Sequence, residues 1–240
     1  MYQPMRVGAF QDSETWHTED GRVFLRDDEG DNISSRNASY CELTAMYRIL
    51  HGMQAEAYGL CHYRRYFAGK RTGDRWKRIL TQAQLEAMLS RADVILPPPR
   101  HYWIQTNWQQ YAHAHHEKDL LVTQQVLQGM PDARYATAFA SVMQRRSGHR
   151  MNLFVMKAPV FRAYAEWLFS VLFQVERQLD LTGYSAEDRR VFGYLAERLL
   201  DVWLTVNPQT VLECQVVHME KQHWPRKLTA FLLRAIRPAK

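Results

Sequence analysis

The run Ala57-Tyr58-Gly59-Leu60-Cys61-His62-Tyr63-Arg64-Arg65-Tyr66-Phe67 changes character in its middle. Residues 57–61 form a short, mostly apolar run that reads as a buried strand. The next five put an imidazole, two phenols and two guanidinium groups at the strand's C-terminal end. Fixed cations in such a place are costly to bury without an anionic partner. Arginine forks suit phosphate oxygens, and tyrosine rings stack on a planar base or a sugar face. A strand delivering this inventory to its C-terminal edge fits a nucleotide diphosphate site. The structural alternative sends Arg64 and Arg65 to opposite sides of the strand, one to solvent and one to a carboxylate.

Working outward, an alternation of helices and strands emerges. Ser34 or Ser35 is placed to cap a helix in which Tyr40, Leu43, Met46, Tyr47 and Leu50 share one face, ending near Gly52. Thr81 caps a helix carrying Leu85, Met88 and Leu89, and a strand over 93–96 is stopped by Pro97, Pro98 and Pro99. Helices are predicted over 119–128 and 131–145, a strand over 152–156, helices over 159–179 and 187–204, and a last strand over 210–217. Residues 100–117 are rich in aromatics and histidines. Residues 11–36 read as a polar loop, with Asp27, Asp28, Glu29 and Asp31 in a solvated acidic cluster that lacks the spacing of a calcium loop. Short buried strands separated by helices, without an internal repeat or flexible linker, argue for one α/β layered domain.

The chain has 240 residues, 46% hydrophobic and 23% charged, enough for a real core in one large domain or two small ones. No segment approaches the roughly 18 to 20 consecutive apolar residues of a membrane span. Residues 1–10 lack the cationic start and small-residue cleavage site of a secretory signal, so a cytoplasmic location is expected. Three dispersed cysteines, Cys41, Cys61 and Cys214, suggest neither a disulfide framework nor a thiolate zinc site. The net charge is +6. Lys221, Arg226, Lys227, Arg234, Arg237 and Lys240 account for all of it, so no protein-wide basic face for nucleic acid is demanded. Within 221–240, Leu228, Phe231, Leu232, Ala235 and Ile236 recur at helical spacing. That segment reads either as a basic amphipathic helix adhering to an anionic membrane surface or as a last helix docked on the domain.

Three further clusters carry chemistry-bearing residues. His113, His115, His116 and Asp119 include pairs three or four residues apart that suit proton transfer, substrate contact or solvated surface positions better than a metal. Asn37 and Glu42 lie on the first helix. Arg190, Tyr194, Glu197 and Arg198 share one side of a later helix, where intrahelical ion pairs are the simple explanation. No G-x-x-x-x-G-K-[ST], G-x-G-x-x-G or G-x-S-x-G occurs, which removes the usual grounds for a P-loop nucleotidase, a dinucleotide oxidoreductase or a serine hydrolase.

Several of these stretches resemble a bacterial glycosyltransferase family of capsule and exopolysaccharide loci, long described only as an uncharacterised domain. They are Gly30-Asp31-Asn32-Ile33-Ser34, Asn37 with Tyr40-Cys41-Glu42-Leu43-Thr44-Ala45, and Tyr58 through Phe67. Similarity continues through His115-His116 with Asp119-Leu120, Asn152-Leu153-Phe154-Val155-Met156-Lys157, and Arg190-Val191-Phe192-Gly193-Tyr194 with Glu197-Arg198-Leu199. Characterised members are galactofuranosyltransferases of O-antigen synthesis. The resemblance implies a single nucleotide-sugar-transferase-like (GT-A-like) domain over 1–220, with a mixed sheet flanked by helices, followed by the basic segment 221–240. It also implies transfer of galactofuranose from UDP-galactofuranose to a lipid-linked or growing glycan at the inner face of the cell membrane.

This chain departs from the family in two ways. Members begin with an additional strand ending in a histidine-lysine pair, whereas this chain starts at the following segment, residues 2–9. A domain lacking that strand, with weakened donor binding, is therefore expected. Where many nucleotide-sugar transferases carry Asp-x-Asp for a divalent metal, His62-Tyr63-Arg64 stands here, so arginine is expected to replace the metal. Donor contacts are assigned to His62, Tyr63, Arg64, Arg65, Tyr66, Asn37 and Glu42. His115, His116, Asn152, Arg190 and Tyr194 are assigned to the acceptor side or to support. In an inverting transfer one carboxylate serves as base, with Asp119, Glu197 and Asp31 as candidates and no metal or other cofactor. The rival is a noncatalytic module, a degenerate transferase that holds a glycan or a nucleic-acid binder using the aromatic-basic run.

Overall fold

The computed structural model describes residues 1–69 and 73–220; the basic segment 221–240 lies outside the described residues. Its centre is a four-stranded mixed sheet in the spatial order Ala57–Leu60, Phe154–Lys157, Val94–Leu96, Val211–Glu213. Before it come β1 (Met5–Arg6) and β2 (Leu25–Arg26), a parallel pair, and α1 (Asn37–Tyr40) and α2 (Leu43–Gly52). β3 (Ala57–Leu60) leads into β4 (Arg65–Phe67), α3 (Gln82–Leu89), β5 (Val94–Leu96) and β6 (Arg100–His101). Three helices follow, α4 (Asn107–Ala114), α5 (Glu117–Gln128) and α6 (Arg134–Gln144), then β7 (Ser147–Gly148), which pairs with β6, and β8 (Phe154–Lys157). The long α7 (Ala158–Gln178), α8 (Val191–Val206), β9 (Val211–Glu213) and β10 (Val216–His218) complete the described chain.

The sheet separates two apolar layers because successive side chains on a strand point to opposite faces. Val94 and Leu96 of β5 join Tyr58, Leu60, Phe154 and Met156 in the main core against α2, α7 and α8. Ile95, between them, packs on the other side with Phe67, Leu80, Leu85, Leu153 and Cys214. β8 runs antiparallel to β3 and β5, and β9 runs parallel to β5. On α7, Phe161, Tyr164, Leu168, Val171, Leu172 and Val175 keep the 3.6-residue period and are all buried.

Thr81 caps α3 through a reciprocal capping box with Gln84, as its position predicts. Four expectations change. The single helix predicted from Ser34 to Gly52 breaks at Cys41, whose φ of 51° is left-handed. Ser34 makes no cap there, and its hydroxyl instead donates to Asp27 at 2.6 Å. Residues 107–114 form a helix capped by Thr106 with Gln109. The strand predicted over 210–217 divides at Cys214 and Gln215: β9 extends the central sheet, and β10 crosses to pair with β4.

Asp27 is not part of a solvated cluster. It is 0% exposed and accepts hydrogen bonds from the backbone N–H groups of Gly8 and Ala9 at 2.8 and 3.0 Å, besides that from Ser34. Those three bonds tie the N-terminal segment to the start of the helical layer. Among the described residues no helix is long and apolar enough to cross a membrane. Replacing Asp27 with Ala strands two buried N–H donors, so urea unfolding should show a loss of about 2 to 5 kcal/mol; a change below about 0.5 kcal/mol would contradict this anchoring role.

Candidate active site

Directly after β3 the chain turns tightly, with the Arg65 N–H donating to the His62 carbonyl at 2.9 Å. The turn sends His62, Arg64 and Arg65 to one cavity of about 190 Å3. Its opposite wall comes from Cys41 and Glu42, at the break between α1 and α2, and from Arg190, Gly193, Tyr194 and Glu197 at the start of α8. Met151, from the loop before β8, completes it. Arg64 and Arg65 thus both line the cavity, while the Arg64 guanidinium also reaches the exposed Glu220. Three guanidinium groups meet two carboxylates there.

The cations are incompletely paired. Arg65 is half-buried and has no carboxylate within 4 Å among the described residues; burial, then the charge of Arg64, pulls its pKa down. Arg64 Nη1 lies 3.3 Å from Glu220 in a solvent-accessible pair of the kind worth at most about 1 kcal/mol, and its Nε is buried without a hydrogen-bond partner. Arg190 Nε donates to the Cys41 sulfur at 3.2 Å, and its guanidinium lies over the Tyr194 ring. Burial nevertheless pushes the Cys41 thiol up, away from thiolate character. Burial and then the charges of Arg65, Arg64 and Arg190 hold His62 below the ordinary histidine range. The downward shift favours the neutral imidazole, whose Nδ1 is buried without a hydrogen-bond partner among the described residues.

Hydrogen bonds fix the acids from behind. Asn152 Nδ2 donates to Glu42 Oε1 at 2.8 Å and to the Gly193 carbonyl at 3.0 Å, joining α8 to the break before α2. Glu197 Oε1 accepts from the Met151 N–H and Oε2 from Arg198, both at 2.9 Å. Arg198, 3% exposed, points away from the cavity to Gln110 at 2.7 Å and under the Tyr111 ring, so it does not share the face of Arg190, Tyr194 and Glu197. Arg150 bonds Tyr102, Asn107 and the Glu197 carbonyl, and pairs with Asp201. Cys41, Met151 and Asn152 hold left-handed backbone with φ of 51°, 86° and 46°. Each such residue costs on the order of 1 to 3 kcal/mol and persists only where its surroundings over-determine it.

A larger groove of about 1890 Å3 opens beside the cavity and shares Cys41, Glu42, His62 and Arg190 with it. Tyr63, 70% exposed, and Tyr66, which meets Tyr2 edge-to-face at 5.4 Å, line this groove. Asn37 lines it too, while its Nδ2 holds the Cys41 carbonyl at 2.9 Å.

Five expected site residues line neither space; one is Asn152, which holds Glu42 from behind. Asp119 is 1% exposed and accepts from the hydroxyls of Tyr111, at 2.9 Å, and Tyr184; burial raises its pKa, and it serves to join α4, α5 and the segment before α8. Asp31 sits on the outer surface against Tyr47 and His51. His115 follows α4 and stacks on Tyr194 at 4.0 Å, bracing a residue of the cavity. His116 precedes α5, stacks on Tyr184 and lies 3.5 Å from Asp188, so neither histidine shares a helical face with Asp119. Cys41, Met151 and Gly193 were not expected in the wall. Met151 and Gly193 carry no chemical signal of their own, and Cys41 enters through a backbone conformation that no glycine announces.

Guanidinium groups cannot ligate a cation, and both acids in the cavity already accept hydrogen bonds. Among the described residues no group of three His, Cys, Asp or Glu side chains is placed to hold a metal ion. The donor set suits an anion with several oxygens.

The fold matches the apo structure of WbbM, a bifunctional glycosyltransferase, with a TM-score of 0.79 and 26% sequence identity. The match covers 91% of this chain and 42% of that one, so the chain spans less than half the length of this relative. The expected mixed α/β transferase-like fold is thereby shown. No curated protein matches. The family model described as a domain of unknown function, DUF4422, matches residues 1–208, and the chain belongs to that family.

Proposed function

We propose that the protein is a glycosyltransferase that grips the diphosphate of a nucleotide-sugar donor with arginine side chains. The observation that carries this reading is Arg65, a half-buried guanidinium without an ion-pair partner among the described residues, beside Arg64 and Arg190 in one small cavity. A diphosphate bound there would supply the missing negative charge, and the adjoining groove offers room for the nucleoside, the sugar and the acceptor. Similarity to a bifunctional glycosyltransferase supports the same class.

In the reaction, an acceptor hydroxyl oxygen attacks the anomeric carbon and the carbon–oxygen bond to the diphosphate breaks. Its electron pair leaves on the nucleoside diphosphate, and the acceptor proton passes to a carboxylate at the cavity. Arg64 and Arg65 face the charge as it develops on the leaving oxygen, which is the placement that lowers a barrier. Neutral His62 contributes a hydrogen bond. The finer reading is an inverting, metal-independent transfer of galactofuranose from UDP-galactofuranose to a lipid-linked or growing bacterial surface glycan, with 221–240 adhering to the anionic membrane. The family resemblance supports that donor and acceptor.

A transfer assay across UDP-sugars tests this directly. Activity should persist in EDTA, and Arg65→Ala should lower kcat/KM by about 100- to 1000-fold, as loss of one preorganised charge contact does. Undiminished activity in that variant, or abolition by EDTA, would count against the arginine reading. His62 supplies a second check. Burial and then the three cations disfavour its protonation in the free protein, and a bound anion offsets the cations, so the complex takes up a proton more readily. NMR titration should find the His62 pKa raised by UDP, with UDP affinity increasing as pH falls through that range. A His62 pKa indifferent to UDP would place the diphosphate elsewhere.

A further inference from the structure

We infer that Glu42 is the general base of the transfer; this rests on the proposed glycosyltransferase reading. Three carboxylates follow from sequence, and the geometry removes each from that role. Asp119 is enclosed, with its two oxygens taken by tyrosine hydroxyls. Asp31 lies on the outer surface beside Tyr47 and His51. Glu197 does face the cavity, but one oxygen accepts from the Met151 N–H and the other from buried Arg198. It positions the strained loop at Met151 and adds negative charge near Arg65.

Glu42 differs on both counts that a base requires. Its Oε1 is aimed by Asn152 at 2.8 Å, while no hydrogen bond or ion pair occupies Oε2 among the described residues. Among the described residues it is also the one carboxylate that borders both the small cationic cavity and the large groove, where Glu197 borders only the first. If the diphosphate occupies the cavity, the anomeric carbon lies at the opening between the two spaces, and an acceptor entering by the groove reaches it past Glu42. The acceptor O–H proton passes to Glu42 Oε2 as the new carbon–oxygen bond forms. Asn152 is then a positioning residue, holding Glu42 and the Gly193 carbonyl in one grip.

The charged and titratable groups around Glu42 come from every neighbouring element. They are Cys41 beside it, His62, Arg64 and Arg65 from the turn after β3, and Arg190, Tyr194 and Glu197 from α8. A pH profile must therefore be read against variants. Glu42→Gln keeps an oxygen for Asn152 and removes only the proton acceptor. It should lower kcat by 100-fold or more and abolish the acidic limb of the kcat profile without weakening UDP binding by more than threefold, since it removes negative charge beside the arginines. Glu42→Asp should restore part of kcat together with the acidic limb, which a merely structural role would not do. Glu197→Gln should instead raise the donor KM and retain the limb. The assignment is overturned if Glu42→Gln keeps kcat within threefold, or if the acidic limb vanishes in Glu197→Gln and not in Glu42→Gln. A wild-type protein that binds no UDP and transfers no sugar would sink the transferase reading itself, a result distinct from either.

Discussion

Positive charge partly withdrawn from water, with little negative charge paired to it, is the constraint around which the candidate site is organised. Arg64, Arg65 and Arg190 line one cavity that offers two carboxylates, of which Glu197 is engaged through both oxygens and Glu42 through one. Desolvating a guanidinium costs several kcal/mol unless a partner compensates, so a stable fold keeps such a cluster only where a ligand or a strong scaffold offsets it. Burial, and then the charges of Arg65, Arg64 and Arg190, disfavour a further charge on His62.

That scaffold is visible behind the cavity. Arg150 and Arg198, both nearly inaccessible, bond to Asn107, Tyr102, Gln110 and Asp201 and reach the carbonyl and carboxylate of Glu197, although Arg198 Nε is buried without a partner among the described residues. Asn152 spans α8 and the junction of α1 with α2. Three of the four described non-glycine residues with left-handed backbone, Cys41, Met151 and Asn152, belong to this shell. Strain collected at one place, and held there by buried hydrogen bonds, is the mark of a preorganised site, where geometry is fixed before the ligand arrives.

The sequence disclosed the parts whose signal is local. Thr81 announces its helix, three prolines end β5, and the apolar period of α7 is unbroken. The turn from Leu60 into His62, Arg64 and Arg65 shows its chemistry in residue types alone. What stayed hidden depends on distant partners. Asp27 looks like one more acid in a polar loop until Gly8, Ala9 and Ser34 fold onto it. Asp119 has helical neighbours that suggest catalysis, yet Tyr184, 65 residues away, closes over it. The helix break at Cys41 carries neither Gly nor Pro, and the crossing at Cys214 is set by which strands lie alongside. Thr106 and Gln109 did spell a capping box, so α4 was readable among the aromatics that obscured it.

A crystal structure of the protein with UDP, grown in EDTA, tests the central claim most directly. The β-phosphate oxygens should lie about 3 Å from the guanidinium nitrogens of Arg64 and Arg65, with no cation between them. A diphosphate lodged away from both arginines, or one that binds only when a divalent cation bridges it to the protein, would contradict the claim.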